Sequence, residues 1–194
     1  MKKCFAVMVC SLVLFAACNK EAPVIAPLPP DQTPPSLTFP FTSFASTTIF
    51  IPFGDTLSNL SLNKGYRVQL SDTNESILAA CSGIVTTITP DTAGGNLITI
   101  KFRSKSIYSF QYGGVTRVAV NLNDSIRAGA ILGKVSGNGL IDFKLIMNNN
   151  TALCPQGFGS PGFTNAINEA ILKSNQLHLT DSILSPCKSS SLPE

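Results

Sequence analysis

Between residues 45 and 147 the chain has room for little except short strands. Ile49–Phe53, Tyr66–Leu70, Ile77–Cys81, Ile84–Thr89, Leu97–Phe102, Ile107–Tyr112, Arg117–Val120, Ile131–Val135 and Ile141–Met147 are each rich in β-branched or aromatic residues. Asn63-Lys64-Gly65, Ala93-Gly94-Gly95, Gly113-Gly114, Asn123-Asp124 and Gly137-Asn138-Gly139 punctuate them as turns. Strands spaced about 8–12 residues apart, with no helical period between them, predict an antiparallel β-sandwich or barrel-sandwich hybrid. The period changes only afterwards. Phe163, Ala166, Ile167, Ala170 and Ile171 recur at helical spacing, and Ser160-Pro161-Gly162 supplies a start signal. The expected fold is mainly β, with a C-terminal amphipathic helix that docks on it.

The N-terminus reads as a secretory leader. Lys2 and Lys3 precede an apolar stretch, Cys4 to Ala17, interrupted only by Ser11. That is shorter than the roughly 20 residues a membrane-spanning helix needs, and it has the form of a signal-peptide core. It ends in Leu14-Phe15-Ala16-Ala17-Cys18, which resembles a lipobox. The expectation is a signal peptide over 1–17 and lipidation of Cys18, with the acyl chains (palmitate and its like) holding the chain to a membrane at about 0.8 kcal/mol per buried CH₂. The alternative is an ordinary signal peptide cut before an incidental cysteine. Asn19, rather than Asp, points to the outer rather than the inner membrane of a bacterial envelope. Residues 18–40 are proline-dense and read as an extended tether, at about 3.1 Å per residue, or as a leader with no spacing role. The β domain is expected over 41–155 and a helical segment over 156–194.

Fourteen basic and 11 acidic side chains give a net charge of +3. Losing Lys2 and Lys3 with the leader leaves +1, so no nucleic-acid partner is suggested. Four cysteines remain after cleavage, 18, 81, 154 and 187. An oxidising compartment lets two of the last three pair. Cys154 and Cys187 bracket the C-terminal helical segment and are the favoured disulfide, while Cys81, in an apolar strand, reads as a buried thiol. No CxxC is present, so neither a zinc knuckle nor a thioredoxin-like site is suggested.

The block from Ser76 to Asn148 carries a further message. Ile77 leads into Ala79-Ala80, then Gly83-Ile84-Val85. Gly94-Gly95 precedes a strand, and Tyr108 to Tyr112 lies in the next. Ile126, Ala128-Gly129 and Ile131-Leu132-Gly133 form a hairpin, and Pro155 follows the last strand. This order resembles the LytM, or M23, peptidase family, a duplicated hybrid motif that cuts peptidoglycan peptides with one zinc. The resemblance implies a zinc ligand and a catalytic His in an H-x-H on the last strand, where this chain has Leu140-Ile141-Asp142. It implies a His and an Asp four residues apart before Ile77, where the chain has Asn63 to Val68 and neither residue type. His178, the one histidine, lies outside the motif. The resemblance therefore implies a pseudoenzyme with no catalytic residues, no metal and no cofactor, whose former substrate groove becomes a binding surface lined by Tyr66, Arg67, Asp142 and Lys144. The alternative for each charged residue is a solvated edge position. Partners implied are peptidoglycan or a cell-wall amidase, reached from the lipid anchor. Other readings are a lineage-specific surface lipoprotein for adhesion or assembly, a metallopeptidase with atypical ligands from Asp142, Asp72, Glu75 or His178, and a carrier module displaying Lys134 or Lys105.

Overall fold

The computed structural model describes residues 29–193 apart from 39, 42, 44, 93 and 178–182. The leader, Cys18 and His178 lie outside these. The described chain is mainly β. Its strands are β1 Thr47–Ile51, β2 Tyr66–Leu70, β3 Ser76–Leu78, β4 Gly83–Pro90, β5 Asn96–Lys101, β6 Tyr108–Thr116, β7 Ser125–Ile126, β8 Ile131–Val135, β9 Leu140–Met147, β10 Thr151–Leu153 and β11 Ser191–Pro193, with a 3-10 helix over Pro155–Phe158 and an α-helix, α1, over Pro161–Leu177.

Seven strands run across the main sheet in the order β1-β2-β9-β6-β5-β4-β7, and every strand pair is antiparallel. β8 leaves this path. It pairs with the far end of β6 at Val115 and Thr116 and carries β3 on its other side. The β3–β8 pair is thus attached at that end of β6, and its Ile77, Leu132 and Val135 are buried in the common core. The core is strongly aromatic. Phe143 on β9 packs against Phe41, Tyr66 and Phe110 at ring-centroid separations of 5.8, 5.3 and 6.1 Å. Tyr112 is fully buried and its hydroxyl accepts the Ala80 N–H at 2.6 Å, which satisfies the one polar atom that a buried tyrosine brings.

The helix lies where its apolar stripe predicts. Phe163, Ala166, Ile167, Ala170 and Ile171 are its buried face. Pro161 opens the helix at a position that needs no donor, and the Ser160 hydroxyl accepts the Phe163 N–H. The next turn of the stripe is polar for a reason: the Ser174 hydroxyl accepts the buried Phe50 N–H at 3.0 Å. β1 is an edge strand, and α1 covers that edge instead of leaving its amides open.

Several expectations are corrected. Arg117–Val120 is not a strand. Arg117 has φ +44°, and the Thr116 hydroxyl donates to the Lys134 and Val135 carbonyls, so β6 ends there. Short strands at β7, β10 and β11 are too brief to show a period. The segment assigned to the tether up to residue 40 is packed from Asp31 onward. Asp31 exchanges backbone hydrogen bonds with Lys105 and Ile107, Leu37 with Phe158 and Ser160, and Leu37 and Phe41 are fully buried.

Cys154 and Cys187 are joined as a disulfide across 33 residues. Cys81 is a free, buried thiol. Burial pushes this thiol up to about 12, against about 8.5 in an open chain. The folded state thus favours the neutral form; the resulting stability is complete below about pH 8.5 and fades as the pH rises toward 12. Cys81 is expected to resist alkylation at pH 8 in the native chain and to react once the chain is unfolded. Peptide mass spectrometry after iodoacetamide treatment checks this, and rapid native labelling would contradict it.

Candidate functional site

Alternation along β2 and β9 decides which side chains face out. On β2 Tyr66, Val68 and Leu70 are buried, and Arg67 and Gln69 are not. On β9 Ile141, Phe143 and Leu145 are buried, whereas Leu140, Asp142 and Lys144 face the other side. The two strands are paired so that Arg67 stands directly opposite Asp142. Their side chains close a two-pronged ion pair: Arg67 Nε donates to Asp142 Oδ1 and Nη2 to Oδ2, both at 2.7 Å. This is the planar fork geometry in which arginine holds a carboxylate most strongly.

The next strand supplies space. Gly113 on β6 pairs with Asp142 and Gln111 with Lys144. A Cβ at Gly113 would lie 2.8 Å from Asp91 Oδ2, so only glycine lets the Asp91 carboxylate settle there and accept the Gly114 N–H at 2.8 Å. Asp91, Gln111, Gly113, Asp142 and Lys144 surround a small cavity of about 160 Å³. The hydrogen bonds to Asp142 hold the Arg67 guanidinium above its ordinary basicity, and the charges of Asp142 and Asp91 add to that. The result is a balanced cluster of two carboxylates, one guanidinium and one ammonium.

Three of the four groove residues expected from the sequence do share one face: Arg67, Asp142 and Lys144. Tyr66 does not, which corrects the expectation. Successive strand residues point to opposite faces, so Tyr66 lies in the core, fully buried. There it packs on Phe50 and Phe143, with its hydroxyl 3.3 Å from Cys187 Sγ, and burial raises its pKa. Asp91 and Gln111 are site residues that sequence reading missed. The signal was present in the paired glycines at 94–95 and 113–114, which permit close approach. The carrier reading is disfavoured at Lys134, whose ammonium donates to the Asn74 carbonyl and the Ser76 hydroxyl. Asp72 and Glu75 accept backbone N–H groups of Asn74 and Ser43.

The residues present do not fit the zinc that the resemblance implies. A hydrolytic zinc needs three protein ligands and an open position. Here both oxygens of Asp142 are engaged by Arg67, Leu140 has no donor atom, and a fixed cation occupies the space beside the carboxylate. Among the described residues no three His, Cys, Asp or Glu side chains converge.

The ion pair is partly buried, with 29% of the Arg67 side chain and 19% of the Asp142 side chain exposed. It therefore falls between surface pairs and fully buried ones. Arg67→Met, which leaves a carboxylate beside Asp91, is expected to cost about 1–2 kcal/mol. Adding Asp142→Leu should recover most of that loss. Urea denaturation of the single and double variants checks both, and an additive double variant would contradict the pairing.

Comparison with known proteins bears on the fold. Residues 61–150 match the family model of peptidase family M23. A chain of the SpoIIQ–SpoIIIAH pore forming complex superposes with a TM-score of 0.52 at 18% identity, covering 71% of this chain and 99% of that one. A chain in the crystal structure of the SpoIIIAH and SpoIIQ complex gives 0.51 at 17%, covering 63% and 99%. The antimicrobial peptidase lysostaphin from Staphylococcus simulans gives 0.51 at 15%, with 69% of this chain covering 55% of that one. At such identities the likeness is one of fold. No curated protein matches the sequence.

Proposed function

We propose that this chain, whose residues 61–150 form a degenerate M23 peptidase-like domain, is a non-catalytic binding or regulatory module. In this reading it is held to the bacterial cell envelope through Cys18, where it binds peptidoglycan or a cell-wall hydrolase. The observation that carries this reading is the Arg67–Asp142 pair. The resemblance puts the family's H-x-H, which holds a zinc ligand, over Leu140-Ile141-Asp142. The one residue there that could ligate, Asp142, is closed by an internal cation, which does not generate a hydroxide as a metal does. What survives is a shaped, polar sheet face next to the pair.

Two further points support a binding role. SpoIIQ and SpoIIIAH are a complex, so a fold like this one serves in protein assembly elsewhere. The tether and lipid expected at the N-terminus would supply location, which a module without chemistry depends on.

The test is direct. The full chain is incubated with purified peptidoglycan sacculi and, separately, with a cell-wall amidase acting on dye-labelled sacculi. Cosedimentation with sacculi, or stimulated dye release that needs the amidase, is the expected result. Dye release by the chain alone would contradict it, as would the absence of both effects.

A further inference from the structure

The turn between β5 and β6 is the most basic stretch of the described chain. Lys101-Phe102-Arg103-Ser104-Lys105 sets three cations within five residues. Arg103 and Lys105 are exposed, and Lys101 is half-buried at the end of β5. The Arg103 guanidinium lies over the Phe102 ring, 4.8 Å from its centroid, and pairs with Asp31 at 3.0 Å. Among the described residues no ion pair engages Lys101 or Lys105. Ile84 on β4 pairs with Lys101 on one side and with Ser125 on the other, which brings Asp124 and Arg127 to the same end of the sheet. Four cations and two carboxylates around the turn thus sum to +2.

The chain enters the domain at this same turn. The Asp31 N–H donates to the Lys105 carbonyl at 2.8 Å, and the Ile107 N–H donates to the Asp31 carbonyl at 3.0 Å. Twelve residues, 19 to 30, stand between Cys18 and Asp31, and a chain of that length spans at most about 45 Å. A globule of this size is about 40 Å across. The β2–β3 turn, with Asp72 and Glu75, is at the opposite end of the sheet. β2 meets the start of β9 at Gln69 and Leu140, whereas the β5–β6 turn adjoins the end of β9 through Tyr108 and Met147. A lipid on Cys18 therefore keeps the basic end next to the bilayer and leaves the acidic turn about a domain's width farther off.

We propose that the β5–β6 turn is the membrane-facing contact of this protein, seated on the anionic headgroups of the bilayer that holds its anchor. The inference rests on the lipidation of Cys18 in the proposed function. Asp31 takes up much of the Arg103 charge, so Lys101 and Lys105 carry the contact. Each lysine near an anionic surface favours contact about fivefold. Free in solution, two such residues would bind weakly. On a short tether the contact is intramolecular, at an effective concentration of about millimolar, and a shallow basic turn is enough. An acidic wall polymer would meet the same charges, but nothing holds one at this end of the sheet.

The lipidated full chain is placed on vesicles of phosphatidylethanolamine and phosphatidylglycerol, or of phosphatidylcholine alone. A fluorophore is attached through Ser104→Cys or, at the far end, through Thr73→Cys. Cys81 is buried and Cys154 and Cys187 are bonded to each other, so they do not compete for the label. Quenching by a nitroxide headgroup lipid reads which end meets the surface. On the anionic vesicles residue 104 is expected to be quenched far more than residue 73. The difference should narrow on phosphatidylcholine and in 1 M salt, where the screening length is about 3 Å. Lys101→Gln combined with Lys105→Gln should shift the contact equilibrium about 25-fold, with an unchanged melting temperature. Equal quenching at the two sites on anionic vesicles would overturn the proposal, as would a difference that survives loss of both lysines or is undiminished on phosphatidylcholine. In each of those cases the chain stays on the vesicles and the anchor stands. A chain that washes off phosphatidylcholine vesicles contradicts the anchor and this contact with it.

Discussion

Replacing both Cys154 and Cys187 by alanine is expected to lower stability by about 3–4 kcal/mol, the chain-entropy value for a closed loop of this length. Besides the disulfide, the C-terminal segment is held by the β10–β11 pairing, by the two bonds of the Asn175 side chain to Ile183 and by partly buried Ile183 and Leu192. Phe53 exchanges backbone hydrogen bonds with Pro186 and Lys188, Cys154 N–H donates to Ser190, and Lys188 pairs with Asp55 at 2.6 Å on the surface. An exposed pair of that kind contributes about 0–1 kcal/mol. Without the covalent link, residues 183–193 have few buried contacts to keep them docked over Tyr66. The melting temperature should fall by about 7–14 °C, and a reducing agent should reproduce the shift in the wild-type chain. A loss below about 1 kcal/mol would mean that the docked segment is held by packing alone.

The second large effect is expected at Phe143. It is fully buried, it touches rings from β2, β6 and the segment before β1, and it sits between Asp142 and Lys144 on β9. Phe143→Ala removes the centre of this aromatic cluster and should cost about 3–5 kcal/mol, the usual range for a large side chain deleted from a packed core. The damage should not stop at stability. β9 carries Asp142 and Lys144, so a cavity beneath it loosens the ion pair as well. Phe143→Leu fills more of the space and should cost markedly less. Guanidinium unfolding of the two variants decides this, and near-equal losses would argue that the ring–ring contacts are unimportant.

How much of this was legible in the sequence depends on whether the cause was local. β2 and β8 run over the residues that their β-branched and aromatic composition marks out, β2 with a clean period of two, and α1 buries the stripe that its spacing predicts. Those features are decided within a few residues. The pairing of Arg67 with Asp142 is not. It depends on the register of two strands 75 residues apart, and no window of sequence contains it. Tyr66 shows a different failure. Grouping it with Arg67 ignores the alternation that Tyr66-Arg67-Val68 itself displays, and strict use of that period sends Tyr66 inward with Val68. Leu37 and Phe41 were hidden by composition, because isolated apolar residues among prolines carry no period at all.

The ion pair that replaces the metal ligand is the point on which the functional reading turns, and zinc retention tests it most directly. The purified full chain is equilibrated with excess zinc, freed of unbound metal by gel filtration and measured by elemental analysis. The geometry of Arg67 and Asp142 predicts that no zinc is retained. One tightly held zinc per chain would contradict it and return the chain to the peptidases.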